Sequence, residues 1–574
     1  MNKKFLLSII FLGTLILLLV GLFFFITSRT LELQKANEQI INLIRKDNFE
    51  EAAILIDEIK STEKDKDFFK KFSFFPLIKK EIELSQRLTS IKENLEEINN
   101  GTFLLAMIQQ QENPLFILNN FKDDLNYLEK YNLDWVETKK YQLENWLSFL
   151  GQEKEKNYLV LFQNPDIPRP SGGFIGAYAI LSFNQGKISF SGNNIFTLEE
   201  VFLKKIIPPI QFQDVGDRWF FRDLNWFFDF PFTGQKILSF YEQTGKKPDL
   251  DGVIFVNPSV IELMLETIGL IEINDYDLAI NETNFLSFYK KQIQEAAKPA
   301  PLREEKELLS LFFEEFQRKL KKSSVDKLVL IPQILKKKFE EKEAQIYIID
   351  DNLEYFFNSF DWTGKIKESR NDYLSVNFSF INEGFVEDLR EKEVKLKTEF
   401  TSNGEVINYL TINALNFSSN QRLLENYIKI YLPKGIIIKE ALGSYLKRSY
   451  NADQLEDIYN KLDYHKDEDL FLIERSTIKD EKNGIEIYEE GGKTVVGFWS
   501  QLSIRPFNLI YKLPDNWKEF SSWETVVQKQ SGQEIKFSFE LIVPEEVSMV
   551  PSLFPFDQFI PLDKDLILDF KRED

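Results

Sequence analysis

The sequence contains no cysteine and a single histidine, His465, among 574 residues. Disulfide bonds, thiolate nucleophiles and zinc sites built from Cys and His are therefore excluded. A Ser-His-Asp triad would have to use His465, which lies in the charged stretch Lys461 to Asp467 and is predicted to be a surface residue. The absence of cysteine is also compatible with an extracytoplasmic location.

Positive charge is scarce relative to negative charge. The chain has 71 Lys and Arg against 91 Asp and Glu, which gives a formal net charge of −20. Such a surface repels phosphate backbones, and the sequence has no basic patch of useful length. We therefore expect no nucleic-acid partner.

Length and composition predict a multidomain globular protein. Hydrophobic residues make up 43% of the chain and aromatic residues 14%, which is ample for several cores. The pattern divides the chain into a cytoplasmic tip and anchor at 1–29, a helical stalk at 30–150, an α/β domain at 151–366 and a β-rich, sandwich-like domain at 367–574.

The amino terminus predicts a membrane anchor. Phe5 to Ile26 is uncharged and long enough to span a bilayer core of ~30 Å. A cleaved signal peptide is the alternative, but the apolar run is long for one and no small-x-small cleavage site follows it. Lys3 and Lys4 precede the run, so the positive-inside rule favours a single-pass protein of the cell membrane with its bulk extracytoplasmic.

Two periodicities distinguish the flanking regions. Helical spacing predicts helices from Ile78 to Asn99, from Pro114 to Leu133 and from Asp134 to Leu150. From Asp372 onward, apolar and polar residues alternate in short segments separated by turn signals, for example at Asn403-Gly404. This pattern is typical of a β-sandwich.

The densest sequence pattern lies between two predicted buried strands in the α/β domain. The stretch Arg169 to Gly176 holds an arginine and three glycines, and Arg222 to Trp226 follows later with Arg-Asp-Leu-Asn-Trp. Charged and amide side chains clustered with Trp in loops are typical of a binding cleft on an α/β scaffold. A tight turn for the glycines and a structural ion-pair network for Arg222 and Asp223 are the alternatives. The candidate ligand-binding residues are Arg169, Ser171, Gly172, Gly173, Arg222, Asp223, Asn225 and Trp226.

Several of these blocks, in this order, resemble a known family. The family is the bacterial membrane-anchored domain-of-unknown-function family 4012, and the similar blocks are Tyr158 to Asn164, Arg169 to Gly176, Arg222 to Trp226, Asp229 to Pro231 and Asp251 to Ile254. The segment Gln528 to Gly532 is also similar to that family's pattern. The resemblance implies no biochemical role, because the family has none assigned.

A more distant resemblance links the segment Thr244 to Ile273 to the LytR-CpsA-Psr envelope proteins. That resemblance implies an enzyme that transfers glycopolymers from polyprenyl-pyrophosphate carriers, with arginines on the phosphates and an aspartate on Mg²⁺. Bidentate guanidinium groups suit pyrophosphate, and Mg²⁺ prefers carboxylate oxygens.

Only some of the site residues of the LytR-CpsA-Psr family have counterparts in this sequence. Arg169 matches the first arginine of the LytR-CpsA-Psr family, but Ser171 stands where an aspartate is expected, and the second Arg-Asp pair of that family is missing at its place. Arg222 and Asp223 lie later in the chain and could replace the pair only by meeting Arg169 in space. The metal candidates are Asp223 and Asp229.

Two functions follow as hypotheses. The first is a non-catalytic binding or scaffold protein of the cell envelope for an anionic lipid-linked glycan or wall polymer. The alternative is a Mg²⁺-dependent glycopolymer phosphotransferase. The missing Arg-Asp pair favours the first, so no catalytic residue and no cofactor is assigned, and Mg²⁺ is the metal that the alternative would use.

Overall fold

The fold comes from a computed structural model of the chain. It describes residues 31–43, 51–52, 54–56, 76–99, 106–109, 111–131, 134–298, 308–381, 386–415, 424–447, 452–545, 548–551 and 558–573. Contacts divide the chain into two compact units, Met1–Lys154 with Asn184–Lys187, and Glu155–Phe183 with Ile188–Asp574. The predicted domain boundaries within the second unit stay predictions.

The predicted fold class is wrong in one respect for the residues that the structure describes. None of the helices there is both long and apolar enough to cross a bilayer. The helix Pro76–Asn99 has 24 residues but carries Lys, Arg and Glu along its length. The predicted span Phe5 to Ile26 lies outside the described residues. The fold class is therefore corrected to helices and sheets without a membrane-spanning helix in this part of the chain.

The first unit is helical where it is described. Besides helical residues 31–43, it contains α1 (Pro76–Asn99), α2 (Phe116–Leu128) and α3 (Asp134–Phe149). Asp124 of α2 is buried and accepts hydrogen bonds from Arg87 Nη1 at 2.8 Å, Ser90 Oγ at 2.6 Å and Asn94 Nδ2 at 2.9 Å, all on α1. This buried carboxylate fixes the register of α1 on α2, because removing any partner leaves a desolvated charge.

The helices of the second unit are α4 (Phe196–Glu199), α5 (Phe230–Gln243), α6 (Pro258–Ile268), α7 (Phe285–Ala296), α8 (Leu308–Lys322), α9 (Val325–Leu328), α10 (Leu330–Glu340), α11 (Asp351–Asn358), α12 (Ala452–Tyr459) and α13 (Glu468–Ser476). Its first sheet is built from β1 (Lys156–Arg169), β2 (Gly172–Asn184), β3 (Lys187–Asn194), β4 (Gly252–Val256) and β7 (Ala344–Ile348). A small ladder joins β5 (Ile271–Ile273) to β6 (Leu278–Ile280).

The five-stranded sheet runs in the order β3-β2-β1-β4-β7 and is mixed. Strand β1 pairs antiparallel with β2 and parallel with β4, which matches the helical crossover between β1 and β4. Phe255 of β4 contacts Phe230 of α5, at 4.5 Å between ring centroids. Phe162 of β1 is in register with Val256, the next residue along β4, and stacks on Phe313 of α8. Successive side chains point to opposite faces, so helices cover both faces of this sheet.

The β-rich region contains two further sheets. Their strands are β8 (Asp372–Ser379), β9 (Glu391–Phe400), β10 (Val406–Leu415), β11 (Asn426–Leu432), β12 (Ile437–Leu442), β13 (Ile478–Asp480), β14 (Ile485–Glu490), β15 (Lys493–Ser500), β16 (Phe507–Lys512), β17 (Ser522–Val527), β18 (Ile535–Ile542), β19 (Ser548–Pro551), β20 (Ile560–Pro561) and β21 (Leu566–Glu573). One sheet has the order β12-β16-β10-β9-β18-β20, and the other β13-β14-β15-β11-β8-β17-β21-β19. Apolar side chains from both sheets share one core.

Strand β11 is buried on both faces. Ile428 and Ile430 point into the core shared by the two sheets. Tyr431, on the opposite face, packs in a second cluster with Phe228 from the loop before α5. The second face of the eight-stranded sheet therefore packs against the α/β region. The polar alternate positions of β11 are covered there and do not face solvent.

The segment 528–533 connects the α/β and β-rich regions through side-chain amides. Gln530 Nε2 donates to the carbonyl of Arg169 at 2.9 Å and to that of Phe378 at 2.8 Å. Gln533 Nε2 donates to the carbonyl of Pro165 at 2.7 Å. The Arg169 and Pro165 carbonyls lie at the irregular end of β1, where buried backbone carbonyls need hydrogen-bond partners from outside the ladder.

Candidate functional site

The glycine turn between β1 and β2 serves close packing. A Cβ on Gly172 would lie 1.7 Å from Gln163 Oε1, and one on Gly173 would lie 2.1 Å from the carbonyl oxygen of Asn164. Gln163 Oε1 accepts a hydrogen bond from the Gly173 amide at 3.1 Å. Ser171 is fully buried and lies against the Asn225 carbonyl. Any side chain at the glycines would displace these groups, and the backbone amide of Gly173 is occupied within the chain.

Arg169 is a buried structural arginine that is 5% exposed. Its Nε and Nη2 donate to Asp223 Oδ1 at 2.9 and 2.6 Å. Its Nη1 donates to the carbonyls of Pro168 and Phe380, at 3.0 and 2.6 Å. Since Phe380 follows β8, this guanidinium joins the α/β region to the β-rich region.

Arg222 meets Arg169 through a shared carboxylate. Its Nε lies 3.7 Å from Asp223 Oδ2, and its Nη1 donates to Glu199 Oε2 at 2.5 Å. Its guanidinium also lies 3.8 Å from the centroid of the Phe220 ring. Burial raises the pKa of Glu199 to about 7, while the charge of Arg222 opposes that shift. Two guanidinium groups thus face two carboxyl groups, so this cluster offers an anion little unpaired positive charge.

The remaining predicted residues are also held within the chain. Asn225 Nδ2 donates to the Gly173 carbonyl at 2.6 Å. Trp226 stacks on Tyr427 of β11, with ring centroids 5.6 Å apart. Asp229 Oδ1 accepts from the Ile366 amide at 2.9 Å. Asn225 and Trp226 therefore contact β2 and β11, and their assignment as ligand-binding residues stays a prediction.

The metal candidates do not fit a Mg²⁺ site. Asp223 faces two guanidinium groups, and burial raises the pKa of Asp229, which favours its neutral form. Among the described residues, no group of three or more acidic or histidine side chains is arranged to hold a metal ion. Mg²⁺ needs several oxygen ligands in octahedral geometry, so these two carboxylates would have to leave their present partners to bind it.

A cleft that sequence analysis did not single out lies where the α/β region meets β11, β14 and α13. Its volume is about 300 Å³. Its lining includes Ile210, Trp226, Lys429, Glu474, Glu486 and Glu490. We call it the Lys429 cleft.

Lys429 and Glu490 form a buried pair in the wall of the Lys429 cleft. Lys429 Nζ donates to Glu490 Oε2 at 3.0 Å and to the Trp226 carbonyl at 2.9 Å, and it lies 4.4 Å from the centroid of the Trp226 ring. Glu490 Oε1 accepts from Tyr431 Oη at 2.5 Å and from the Phe228 amide at 3.1 Å. Burial lowers the pKa of Lys429, and the charge of Glu490 opposes that shift.

Glu474 and Glu486 are the other carboxyl groups of the Lys429 cleft. Glu474 accepts from the Ile210 amide at 2.9 Å and from Tyr459 Oη at 2.8 Å. Glu486 Oε2 accepts from Tyr427 Oη at 2.9 Å. Burial raises the pKa of Glu474 to about 7 and also raises that of Glu486. The cleft therefore combines ionisable groups, tyrosine hydroxyls and aromatic walls, which is the usual lining of a ligand site.

One signal in the sequence could have indicated this cleft. The polar alternate positions of β11 are Tyr427, Lys429 and Tyr431, and those of β14 include Glu486, Tyr488 and Glu490. Tyrosines interleaved with charges on two strands of the same sheet are unusual for a solvated face. They indicate a surface that is covered yet polar.

The comparisons with known proteins support the first family resemblance and do not test the second. A search of curated proteins and a search of solved structures each found no match. No comparison shows similarity to the LytR-CpsA-Psr proteins. Residues 153–293, about a quarter of the chain, match the model of a family described as "Protein of unknown function (DUF4012)", which supports placing this central region in that family.

Proposed function

We propose that the protein is a non-catalytic binding or scaffold protein of the cell envelope, and that the Lys429 cleft holds its ligand, one unit of a glycan or wall polymer. The observation that carries the proposal is the contrast between the arginine cluster and the Lys429 cleft. The arginine cluster, which consists of Arg169, Arg222, Asp223 and Glu199, has its charges paired within the chain. The Lys429 cleft, in contrast, leaves a volume of about 300 Å³ lined by polar and aromatic groups.

The arginine cluster supports a scaffold role. A buried guanidinium with four hydrogen bonds to its own chain is costly to release, because each partner would lose a charge-assisted bond. Arg169 thereby fixes the α/β region against the β-rich region. A rigid platform of this kind suits a protein that presents or spaces its ligand.

The size and position of the Lys429 cleft support a binding role. Ligand sites commonly occur where two structural regions meet, and volumes of about 300–1,000 Å³ are typical. A cleft at the lower end of that range accepts one small unit of a polymer. Carboxylates and tyrosine hydroxyls suit a ligand that is rich in hydroxyl groups.

The alternative is Mg²⁺-dependent transfer of a glycopolymer from a polyprenyl-pyrophosphate carrier. It needs Arg169 and Arg222 on phosphates, and Asp223 or Asp229 on the metal. In the observed arrangement Asp223 is bound by both arginines. The alternative therefore requires the ion pairs to open before substrate binds.

A binding assay with a turnover control tests the proposal. Full-length protein is titrated with soluble wall fragments, and release of polyprenyl phosphate or pyrophosphate from a lipid-linked substrate is followed with and without Mg²⁺. Thr477→Trp fills the Lys429 cleft, and Ser476→Trp is the matched control, since Ser476 is the exposed neighbour outside the cleft lining. We expect saturable binding that Thr477→Trp abolishes and Ser476→Trp preserves, without turnover. Metal-dependent turnover would establish the alternative, and binding that survives Thr477→Trp would move the ligand elsewhere.

The location is a further part of the proposal, and it comes from sequence alone. Protease added to intact cells should digest the bulk of a chain that is extracytoplasmic at the cell membrane, while a cytoplasmic control protein stays intact. Protection of the chain until the cells are lysed would contradict this location.

A further inference from the structure

The charges in the Lys429 cleft are unevenly compensated. Glu490 has Lys429 as an ion-pair partner at 3.0 Å. The described hydrogen-bond partners of Glu474 are a backbone amide and a tyrosine hydroxyl. Two lysines act on it electrostatically: Lys429, which is paired with Glu490, and Lys479, which also interacts with Glu486. Among the described residues, Glu474 thus shares both of these lysines with other carboxyl groups.

Glu486 adds a second negative charge to the same space. Its charge raises the pKa of Glu474, so the two carboxyl groups lie within electrostatic reach of each other. The charge of Lys479 offsets part of that of Glu486. Arg475 also lines the cleft but is exposed, with its guanidinium 5.7 Å from the centroid of the Phe471 ring. Arg475 therefore lies at the mouth of the cleft rather than against Glu474.

Both carboxyl groups keep capacity for a ligand. An ionised carboxylate has about four acceptor positions. Glu474 uses two for the Ile210 amide and the Tyr459 hydroxyl, and Glu486 receives the Tyr427 hydroxyl and the side chain of Gln211. The free positions belong to groups that line the cleft. They favour a ligand that brings hydrogen-bond donors and positive charge.

We propose that the Lys429 cleft recognises a sugar unit bearing a protonated amino group, with the ammonium on Glu474 and Glu486 and the hydroxyl groups on the surrounding polar wall. The inference rests on the proposed function and names the ligand class of that site. An anionic group would face Glu474, Glu486 and Glu490, whereas an ammonium adds a cation where two lysines, Lys429 and Lys479, are shared among these three carboxyl groups. The cleft volume of about 300 Å³ suits a single ring.

Four probes separate the contributions of ring and charge. Full-length protein is titrated calorimetrically at pH 7 with glucosamine, N-acetylglucosamine, glucose and the non-sugar diamine putrescine. We expect glucosamine to bind at least about tenfold more tightly than the other three, since a hydrogen bond to a charged group changes affinity by roughly 10- to 100-fold.

Isosteric variants test the residues. Glu474→Gln should weaken glucosamine binding by roughly 10- to 100-fold and affect glucose less, and Glu486→Gln provides a second variant of the same kind. Glu468→Gln is the matched control, because Glu468 lies on the same helix with its side chain 69% exposed, and it should leave every affinity unchanged.

The outcomes distinguish this inference from the proposed function. Equal affinity for glucosamine and N-acetylglucosamine would overturn the amine requirement and leave a sugar-binding protein. Putrescine binding as tightly as glucosamine would show an amine site without sugar recognition and overturn the inference. Failure of all four probes, while wall fragments bind in a Thr477→Trp-sensitive manner, would refute the amino-sugar assignment alone. Failure of the wall fragments as well would refute the proposed function.

Discussion

The replacement Arg169→Met tests whether Arg169 stabilises the fold or binds a ligand. Methionine keeps much of the apolar stem but removes the two hydrogen bonds to Asp223 and those to the Pro168 and Phe380 carbonyls. Asp223 would then keep Arg222 Nε at 3.7 Å as its remaining basic neighbour. Breaking one partner out of a buried ion pair costs about 3–5 kcal/mol, so we expect a loss of that size in the free energy of unfolding.

Urea denaturation followed by tryptophan fluorescence measures this loss. The matched control is Arg370→Met, because Arg370 also has two acidic partners, Glu524 and Asp569, but its side chain is 56% exposed. Exposed pairs contribute about 0–1 kcal/mol, so the control should shift the midpoint little. A double-mutant cycle of Arg169→Met with Asp223→Asn should reveal strong coupling between the two positions.

One result would refute the structural interpretation of Arg169. If Arg169→Met unfolds like the wild-type protein but loses affinity for a polyprenyl pyrophosphate, the arginine is poised for a ligand and its present partners are placeholders. Equal losses of stability in Arg169→Met and Arg370→Met would also contradict the argument, since burial would then make no difference to the ion pairs.

Three further predictions concern packing, a buried pair and pH. Gly173→Ala should lose about 1–3 kcal/mol of stability, because its Cβ meets a backbone carbonyl oxygen at 2.1 Å, whereas Gly216→Ala, with its nearest atom at 3.4 Å, should stay within about 0.5 kcal/mol. Lys429→Met should lose about 3–5 kcal/mol by leaving Glu490 without its counter-ion, and adding Glu490→Gln should restore part of the loss. The pKa of Glu474 is raised from its ordinary value of 4.5 to about 7, so its contribution to stability is fully present below pH 4.5 and is lost as pH rises through 7. The free energy of unfolding should therefore fall by roughly 2 kcal/mol between pH 5 and pH 7.5 on account of this group, and Glu474→Gln should remove that part of the slope.

Urea denaturation checks all three. Equal stability of the two glycine variants would show that the β1–β2 turn relaxes around a methyl group. A Lys429→Met protein as stable as the wild type would mean that Glu490 takes up a proton without cost. An unchanged pH slope in Glu474→Gln would place the titrating carboxyl group elsewhere.

Periodicity predicted the helices of the first unit well, because their order is set by local spacing. The helix predicted from Ile78 to Asn99 spans Pro76–Asn99, and the one predicted from Asp134 to Leu150 spans Asp134–Phe149. The segment predicted as one helix from Pro114 to Leu133 contains α2 followed by the short 3₁₀ helix Glu129–Tyr131. Here the apolar pattern continues beyond Leu128, whereas the α-helix ends there and a 3₁₀ helix follows.

The candidate site was harder to predict because the roles of its residues depend on contacts with residues that are far away in the sequence. The sequence could show that Arg169 and Asp223 are of the right kind for phosphate and metal, but not that they pair with each other. Lys429 belongs to a strand of alternating apolar and polar residues, and the sequence does not show which element covers the polar face. Only the covering of that face by the loop that contains Trp226 turns it into a cleft wall.

The bridging amides of segment 528–533 also constrain how the chain is made. Gln530 bonds to the Arg169 carbonyl across 361 positions, and Gln533 bonds to the Pro165 carbonyl across 368. During synthesis, the carbonyls at the end of β1 therefore cannot bond to these amides until most of the chain has left the ribosome. Contacts of such long range slow folding and leave early segments exposed. We expect nascent chains that stop before residue 528 to be chaperone-dependent and protease-sensitive around Pro165 to Gly173.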